Sequence, residues 1–406
     1  MNLPLPTLSR RSLLLGAASA SALPAAWAQQ NAQPNWSAIE KAARGQTVYF
    51  NAWAGSERTN AYLQWTAGEV MASHGVKLEH VKITDTADVV KRVRAEKAAG
   101  RGEAEGTVDL VWINGENFAT LKREGLLFGP FAETQPNFQY VDVEGKPTTR
   151  NDFSVPTDGM ESPWGMAQFT LFADGKRLSK PPQNMAELLA LARSQPGRIT
   201  YPRLPDFTGT TFIKQALIEH VADSSVLSRP PVETAFAQQT ANLWKFLDAL
   251  HPQLWRGGKQ FPQNPAAVRQ MMADGELLLA LTFNPNEPAN ELAAKRLPAS
   301  TIAWQFNKGT IGNTHFVAIP YNAKAKAGAQ IVTNFLLSAK AQARKADINE
   351  WGDPTVLDLK KLPAAERALF PARPLPGQVA QAAPTLPEPH AGWVDPIEKE
   401  WTRRYL

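Results

Sequence analysis

The 406-residue chain contains no cysteine. That excludes disulfides, thiolate metal sites, a cysteine nucleophile and a lipid anchor on an N-terminal cysteine. It predicts a freely soluble protein in an oxidising space. Charge of one sign is also scarce, since 43 Lys and Arg against 38 Asp and Glu leave only +5. Nothing gathers that charge into a dense basic patch. Lys91, Arg92, Arg94 and Lys97 are spaced as the wet face of a helix whose other face carries Val89, Val90 and Val93. No nucleic-acid partner is expected.

Long apolar runs are missing beyond the first 28 residues, and no later stretch reaches the ~18 residues of a membrane-spanning helix. Catalytic signatures are missing too. There is no Gly-x-x-x-x-Gly-Lys-Ser/Thr loop, no Gly-x-Ser-x-Gly elbow and no His-Glu-x-x-His helix. The histidines (His74, His80, His220, His251, His315 and His390) show no close metal-ligand spacing, and His220 falls on an apolar helix face. No metal and no cofactor is expected. The absence of motifs lowers the case for an enzyme without ending it, because carboxylates paired only by the fold leave no local signature. An exported hydrolase of sugars or phosphoesters therefore stays as the alternative.

What is present begins with an address. Ser9-Arg-Arg-Ser12 precedes an Ala-rich apolar run from Leu13 to Leu23, and Ala26-Trp-Ala28 fits the small-x-small cleavage rule. Residues 1–28 read as a signal peptide of twin-arginine type, or an ordinary secretory signal with a chance Arg pair. Removing Arg10 and Arg11 takes the formal charge from +5 to +3.

The stretch Val108-Asp-Leu-Val-Trp-Ile113 reads as a strand buried on both faces, and Asn114-Gly-Glu-Asn117 leads from it into a helix stopped by Gly125. Thr47–Trp53 and Val76–Ile83 read as strands, with helices over 58–74 and 87–99 between them, so strand and helix alternate. That order predicts a parallel sheet with right-handed crossovers. Residues 29–161 are assigned to a first lobe and 162–304 to a second. Residues 305–346 return to the first lobe, ending in a helix over 330–346. In the second lobe Asn184 with Glu187 resembles a capping box. Arg198–Tyr201 and Leu277–Phe283 read as strands, and Ile213, Ala216, Leu217, His220 and Val221 mark an amphipathic helix. The Pro-rich residues 347–406 are expected to wrap the surface.

In open α/β sheets, ligands sit beyond the carboxyl ends of the strands. Six strand-end loops carry the right groups: Trp53, Ser56 and Glu57; Asn114, Glu116 and Asn117; Trp164; Asp206, Phe207 and Thr208; Asn284 and Asn286; and Asn313. Any one of them is ordinary turn chemistry. Together they supply amides, hydroxyls and carboxylates between aromatic walls, which is the make-up of a small-molecule cleft.

At these residues the chain resembles the extracellular solute-binding proteins of ABC importers, in a branch related to thiamine-, polyamine- and iron-binding members. The segments that carry the likeness, in order, are Trp53-Ala-Gly-Ser56, Val108 to Asn117, Gly197-Arg-Ile-Thr-Tyr-Pro202 with Phe207-Thr-Gly209, Gly275 to Asn284, and Phe335-Leu-Leu-Ser338. The resemblance implies a type II-like periplasmic-binding-protein fold with two α/β lobes and mostly parallel sheets flanked by helices. It also implies a solute trapped in the cleft at a hinge of crossing strands, and a monomer that docks on the membrane permease. The iron-binding relatives use an adjacent tyrosine pair, which this chain lacks. Aromatics beside carboxylates favour a thiamine-like or polyamine-like cation, while Thr208-Gly-Thr-Thr211 at a helix start suits a phosphate or carboxylate. The sign of the ligand stays open at this level.

Overall fold

A computed structural model describes Met1 and residues 35–371, 375–381 and 383–406. The export signal, with Arg10, Arg11 and the cleavage site at Ala28, lies outside the described residues. Among the described residues no helix is long and apolar enough to cross a membrane.

The first lobe is built on β1 (Thr47–Trp53), β2 (Lys77–Ile83) and β3 (Leu110–Ile113), which are parallel in the order β3-β1-β2. Helices Glu57–His74 and Thr86–Ala98 make the crossovers. The lone acid of the Val-Asp-Leu segment is structural. Asp109 is buried before β3, and its carboxylate accepts from the N–H groups of Tyr49, Lys324 and Ala325, tying three segments together. A small hairpin follows, β4 (Asn151–Asp152) and β5 (Val155–Pro156), whose turn residues Phe153 and Ser154 take positive φ. β6 (Glu161–Gln168) then runs out of the first lobe, and β7 (Thr170–Asp174) enters the second.

The second lobe departs from the expected parallel pattern. β8 (Leu279–Thr282) and β9 (Thr301–Trp304) both pair antiparallel with the central β7. Arg198–Tyr201 is extended but stays outside the sheet, its carbonyls at Arg198 and Ile199 accepting from Leu278 and Trp255. β10 (Thr310–Ala318) returns, pairing antiparallel with β6 and with β3, so the first sheet is mixed. Its start also pairs with β11 (Thr385–Leu386). The two lobes are thus joined at β6–β7, at β9–β10 and by the C-terminal chain.

Two differences from the sequence reading have local causes. The single helix expected over 330–346 is two, Lys326–Leu336 and Ala339–Ala346, because Ser338 leaves the helical conformation and its Oγ caps the second at the Ala341 N–H. The C-terminal residues are no simple surface wrap. Val356, Leu357 and Leu362 pack with Phe138, Val141 and Leu337. Trp393, Ile397 and Trp401, in and beside helix Val394–Tyr405, are fully buried in the second lobe's core, where Trp401 Nε1 donates to Tyr201 Oη at 2.8 Å.

Candidate functional site

Where the lobes face each other, polar and charged side chains from four segments meet in a nearly dry space. Helix Gly115–Arg123 starts beyond β3 and presents Glu116, which stays exposed. The 151–156 hairpin lays Asp152 against that helix start, where the buried Oδ2 accepts the Gly115 N–H at 2.6 Å. From the second lobe, helix Phe207–His220 contributes Lys214. The C-terminal chain contributes Glu388, whose Oε2 lies 2.5 Å from Lys214 Nζ, with both side chains 1% exposed.

The lysine ammonium stands over the Phe153 ring at 4.4 Å and the Phe207 ring at 5.6 Å, one face from each lobe. Asn313 on β10 donates from Nδ2 to Glu388 Oε1 at 3.4 Å. Glu398 accepts from Thr210 Oγ1 at 2.6 Å.

The electrostatics are dominated by burial of like charges. Burial pushes the Asp152 carboxyl well above its ordinary range, with Glu116 and Glu388 adding to the push and the Gly115 N–H opposing it. Burial raises Glu388 as well, against the pull of Lys214. Glu398 is raised by burial and, further, by Glu116. Glu161, at the start of β6, is raised well above its usual value by burial and then by Asp152. Asp152 Oδ1, Asn313 Oδ1 and both Glu161 oxygens are buried without a hydrogen-bond partner in the described structure. Buried polar atoms are seldom left so, and each one asks for a missing partner. Among the described residues no group of three or more His, Asp or Glu is placed to hold a metal ion.

The residues singled out in the sequence divide. Glu116, Phe207 and Asn313 belong to this cluster. Asp206 and Thr208 begin the Lys214 helix, but Asp206 is its N-cap, with Oδ1 accepting from the Thr208 and Gly209 N–H groups at 2.9 and 3.1 Å. Asn286 bridges the lobes by donating from Nδ2 to the Gly352 carbonyl, while Asn284 turns the chain by accepting the Asn286 N–H. Asn114 and Asn117 are half-buried at the start of helix Gly115–Arg123, where Asn114 makes no side-chain cap.

Ser56 caps helix Glu57–His74 at the Thr59 N–H; Glu57 and Trp53 are exposed beside it, with the indole folded over Gly55. Trp164 is corrected from cleft wall to core. It is wholly buried among Phe50, Tyr62, Trp112 and Trp351, because the residue before Gly165 on β6 faces the packed side of the sheet.

Sequence reasoning missed Asp152, Phe153, Glu161, Lys214, Glu388 and Glu398. One signal was available: Lys214-Gln215 interrupts a run of apolar residues on a helix that is buried from Thr208 to Leu217. Lys214 and Gln215 on that helix meet no solvent. Gln215 is bonded to the Ile311 N–H and the Gly309 carbonyl beside β10, and Lys214 is covered by Glu388. A groove of about 460 Å³ on the outside of the second lobe, lined by Phe236, Trp244, Asp248 and Arg404, contains none of the residues discussed above.

Comparison with known proteins follows this architecture. Residues 65–358 match the family described as bacterial extracellular solute-binding protein. The chain is 49% identical over 371 residues to the protein YnjB of Escherichia coli strain K12, covering 91% of this chain and 94% of that one. Among solved structures, an ABC transporter protein from Clostridium perfringens aligns with a TM-score of 0.61 at 16% identity, covering 88% of this chain and 98% of that one. The spermidine/putrescine substrate-binding protein PotD of Streptococcus pneumoniae aligns with a TM-score of 0.59 at 12% identity, covering 89% and 98%. Nothing in these relatives supports the hydrolase alternative. The chain belongs to the bacterial extracellular solute-binding proteins, the non-catalytic solute-binding components of ABC transporters.

Proposed function

We propose that this protein captures a small organic cation between its lobes in the periplasm and hands it, as a monomer, to the permease of an ABC importer. Export by the N-terminal signal and closure about the crossing strands are part of that reading. The observation that carries it is the charge balance at the lobe interface. Glu116, Asp152, Glu388 and Glu398 gather there around one lysine, with Phe153 and Phe207 as aromatic faces. Such a setting attracts an ammonium or thiazolium group through charge and ring quadrupole.

A cation is favoured over an anion because the N–H groups that could make the Thr208 helix start a phosphate site are bonded to Asp206 at Thr208 and Gly209, and Asp152 takes the first N–H of the other helix at Gly115. The polyamine specificity in the name of PotD agrees with a cation. Moving an open-to-closed equilibrium from 1:99 to 99:1 needs ~5.5 kcal/mol of differential affinity, which contacts from both lobes can supply because the open form makes only part of them.

The test is native mass spectrometry of the protein taken from periplasm without refolding. The expected result is one organic cation, recovered unchanged after long incubation. A bound phosphate or carboxylate, or a converted product, would overturn the reading.

A further inference from the structure

His315 stands beside the charge cluster and takes part in none of its bonds. It lies two residues beyond Asn313 on β10. The pairing with β6 is regular from Gly312 to His315, so both side chains belong to one face of the strand. Thr314 between them bonds through Oγ1 to Thr148. The register shifts immediately after His315, a bulge of the kind that re-aims a side chain.

The ring is oriented from its inner side. Nδ1 is buried 3.3 Å from Asp353 Oδ1, and Lys345 pairs with the other carboxylate oxygen. The Asp353 and Lys345 side chains are 1% and 0% exposed. Burial would raise the Asp353 carboxyl, but Lys345 and then His315 outweigh it and hold it below its ordinary value. Lys345 is fixed in turn by the Trp164 carbonyl and by the Trp164 and Trp351 rings, at 4.4 and 4.7 Å. Gly165, opposite His315, leaves room for this pair, since a Cβ there would collide with both partners. The imidazole packs on Trp112 with ring centres 5.3 Å apart.

The outer side of the ring has no such partner. The side chain is 16% exposed, and among the described residues no donor or acceptor meets Nε2. The carbonyls of Trp351 and Gly352, just before Asp353, accept from Asn290 and Asn286 of the second lobe, so this open nitrogen lies where the lobes approach each other. A carboxylate beside Nδ1 keeps the ring proton on that nitrogen. A neutral imidazole of that tautomer offers Nε2 as an acceptor.

We propose that His315 is a solute contact, with Nε2 accepting from an N–H group of the bound molecule and with Asp353 and Lys345 as the residues that position it. The contact does not depend on the charge of the solute. The acceptor role rests on the cationic reading given above and narrows it: the solute is an organic cation carrying an N–H group, and a fully alkylated cation is excluded.

Diethyl pyrocarbonate acylates open, unprotonated imidazole nitrogens, and peptide mass spectrometry locates the product. In the protein stripped of solute by unfolding, dialysis and refolding, His315 should react, while His251, buried with Nε2 on Tyr201 Oη, is spared. Reloading from a small-molecule extract of periplasm, with uptake checked by native mass spectrometry, should slow acylation of His315 about tenfold or more. Competition reads the affinity. Equal amounts of isotope-labelled parent and unlabelled His315→Phe, which keeps a ring against Trp112, share a limiting amount of the extract. The parent should hold the solute about tenfold or more over the variant, the ratio for loss of a charge-assisted bond. His315→Gln, which keeps an acceptor, should recover most of that ratio.

An unreactive His315 in the stripped protein, equal reactivity in the loaded one, or equal sharing with His315→Phe would overturn the contact. Uptake of a fully alkylated cation would overturn the acceptor role and leave the cationic reading intact. Uptake of an anion, with His315 still protected, would refute the cationic reading and leave the contact standing. A protein that takes up nothing would overturn both.

Discussion

Two acids beside the lobe interface show how burial turns a single residue into a pH-dependent element. Glu161 and Asp152 are each 1% exposed, and burial holds both carboxyls well above their ordinary values of 4.5 and 3.8. The folded chain therefore binds more protons than the unfolded one above those values, and stability falls as pH rises. The contribution is complete below the ordinary values and is lost as pH climbs through the raised ones. Glu161→Gln keeps the shape of the side chain and removes its ionisation. Calorimetric melting from pH 4.5 to neutrality should show a flatter decline and a higher Tm at neutral pH than the parent. An identical profile would show that Glu161 ionises freely. Neither acid was legible as a site residue, because a sequence states the charge of a side chain and leaves its solvation to the fold.

At the scale of the element, the helix Phe207–His220 is the instructive case. Its apolar spacing was plain in Ile213, Ala216 and Leu217, and Thr208-Gly-Thr-Thr211 read as a helix start with Asp206 in the loop before it. What the start does was not plain, since an acid before a helix serves equally as a cap and as a ligand. The geometry makes it a cap, and replacing a cap by Ala costs about 0.5–2 kcal/mol. Asp206→Ala should lower stability in urea by about 1 kcal/mol, while Asp206→Asn should keep most of it. If Asp206 also touches the solute, the Asn variant will lose affinity at unchanged stability; a cap alone leaves affinity intact.

The same helix shows why amphipathy misleads here. A polar face implies solvent only when nothing else covers it, and Lys214 and Gln215 are covered by Glu388 and by the chain around β10. The antiparallel second sheet was hidden for a related reason. Short apolar runs such as Leu279–Thr282 state that a strand is buried and carry no record of its neighbour's direction.

At the scale of the whole molecule, binding and stability are one equilibrium. A solute that binds only the folded, closed chain stabilises it by about 2.7 kcal/mol when present at 100 times its Kd. Glu116 offers a clean test, because it is exposed and lies at the interface from the first lobe. Glu116→Gln should leave the Tm of the solute-free chain unchanged and weaken the solute by about 1.5 kcal/mol, the lower range for a charge-assisted bond. Titration calorimetry with the solute identified by native mass spectrometry reads that loss directly. Equal affinities would remove Glu116 from the site. The cluster is of mixed parentage, since neither lobe alone brings its acids, its lysine and both aromatic faces together.

Taken residue by residue, the amino-acid order determined the local elements and the kind of protein. Buried strands, capped helices and polar strand-end loops are set by neighbours a few positions apart, where backbone hydrogen bonding and side-chain periodicity operate. The succession of those segments was enough to resemble the right family. Tertiary structure decided everything that depends on distant residues sharing a solvent-poor space. It put Trp164 in the core rather than on the cleft, drew residues 383–393 from an expected surface wrap to a place between the lobes, and paired Lys214 with Glu388 across 174 positions. Such pairings rest on exclusion of water by the packed lobes, a property that no stretch of chain possesses alone.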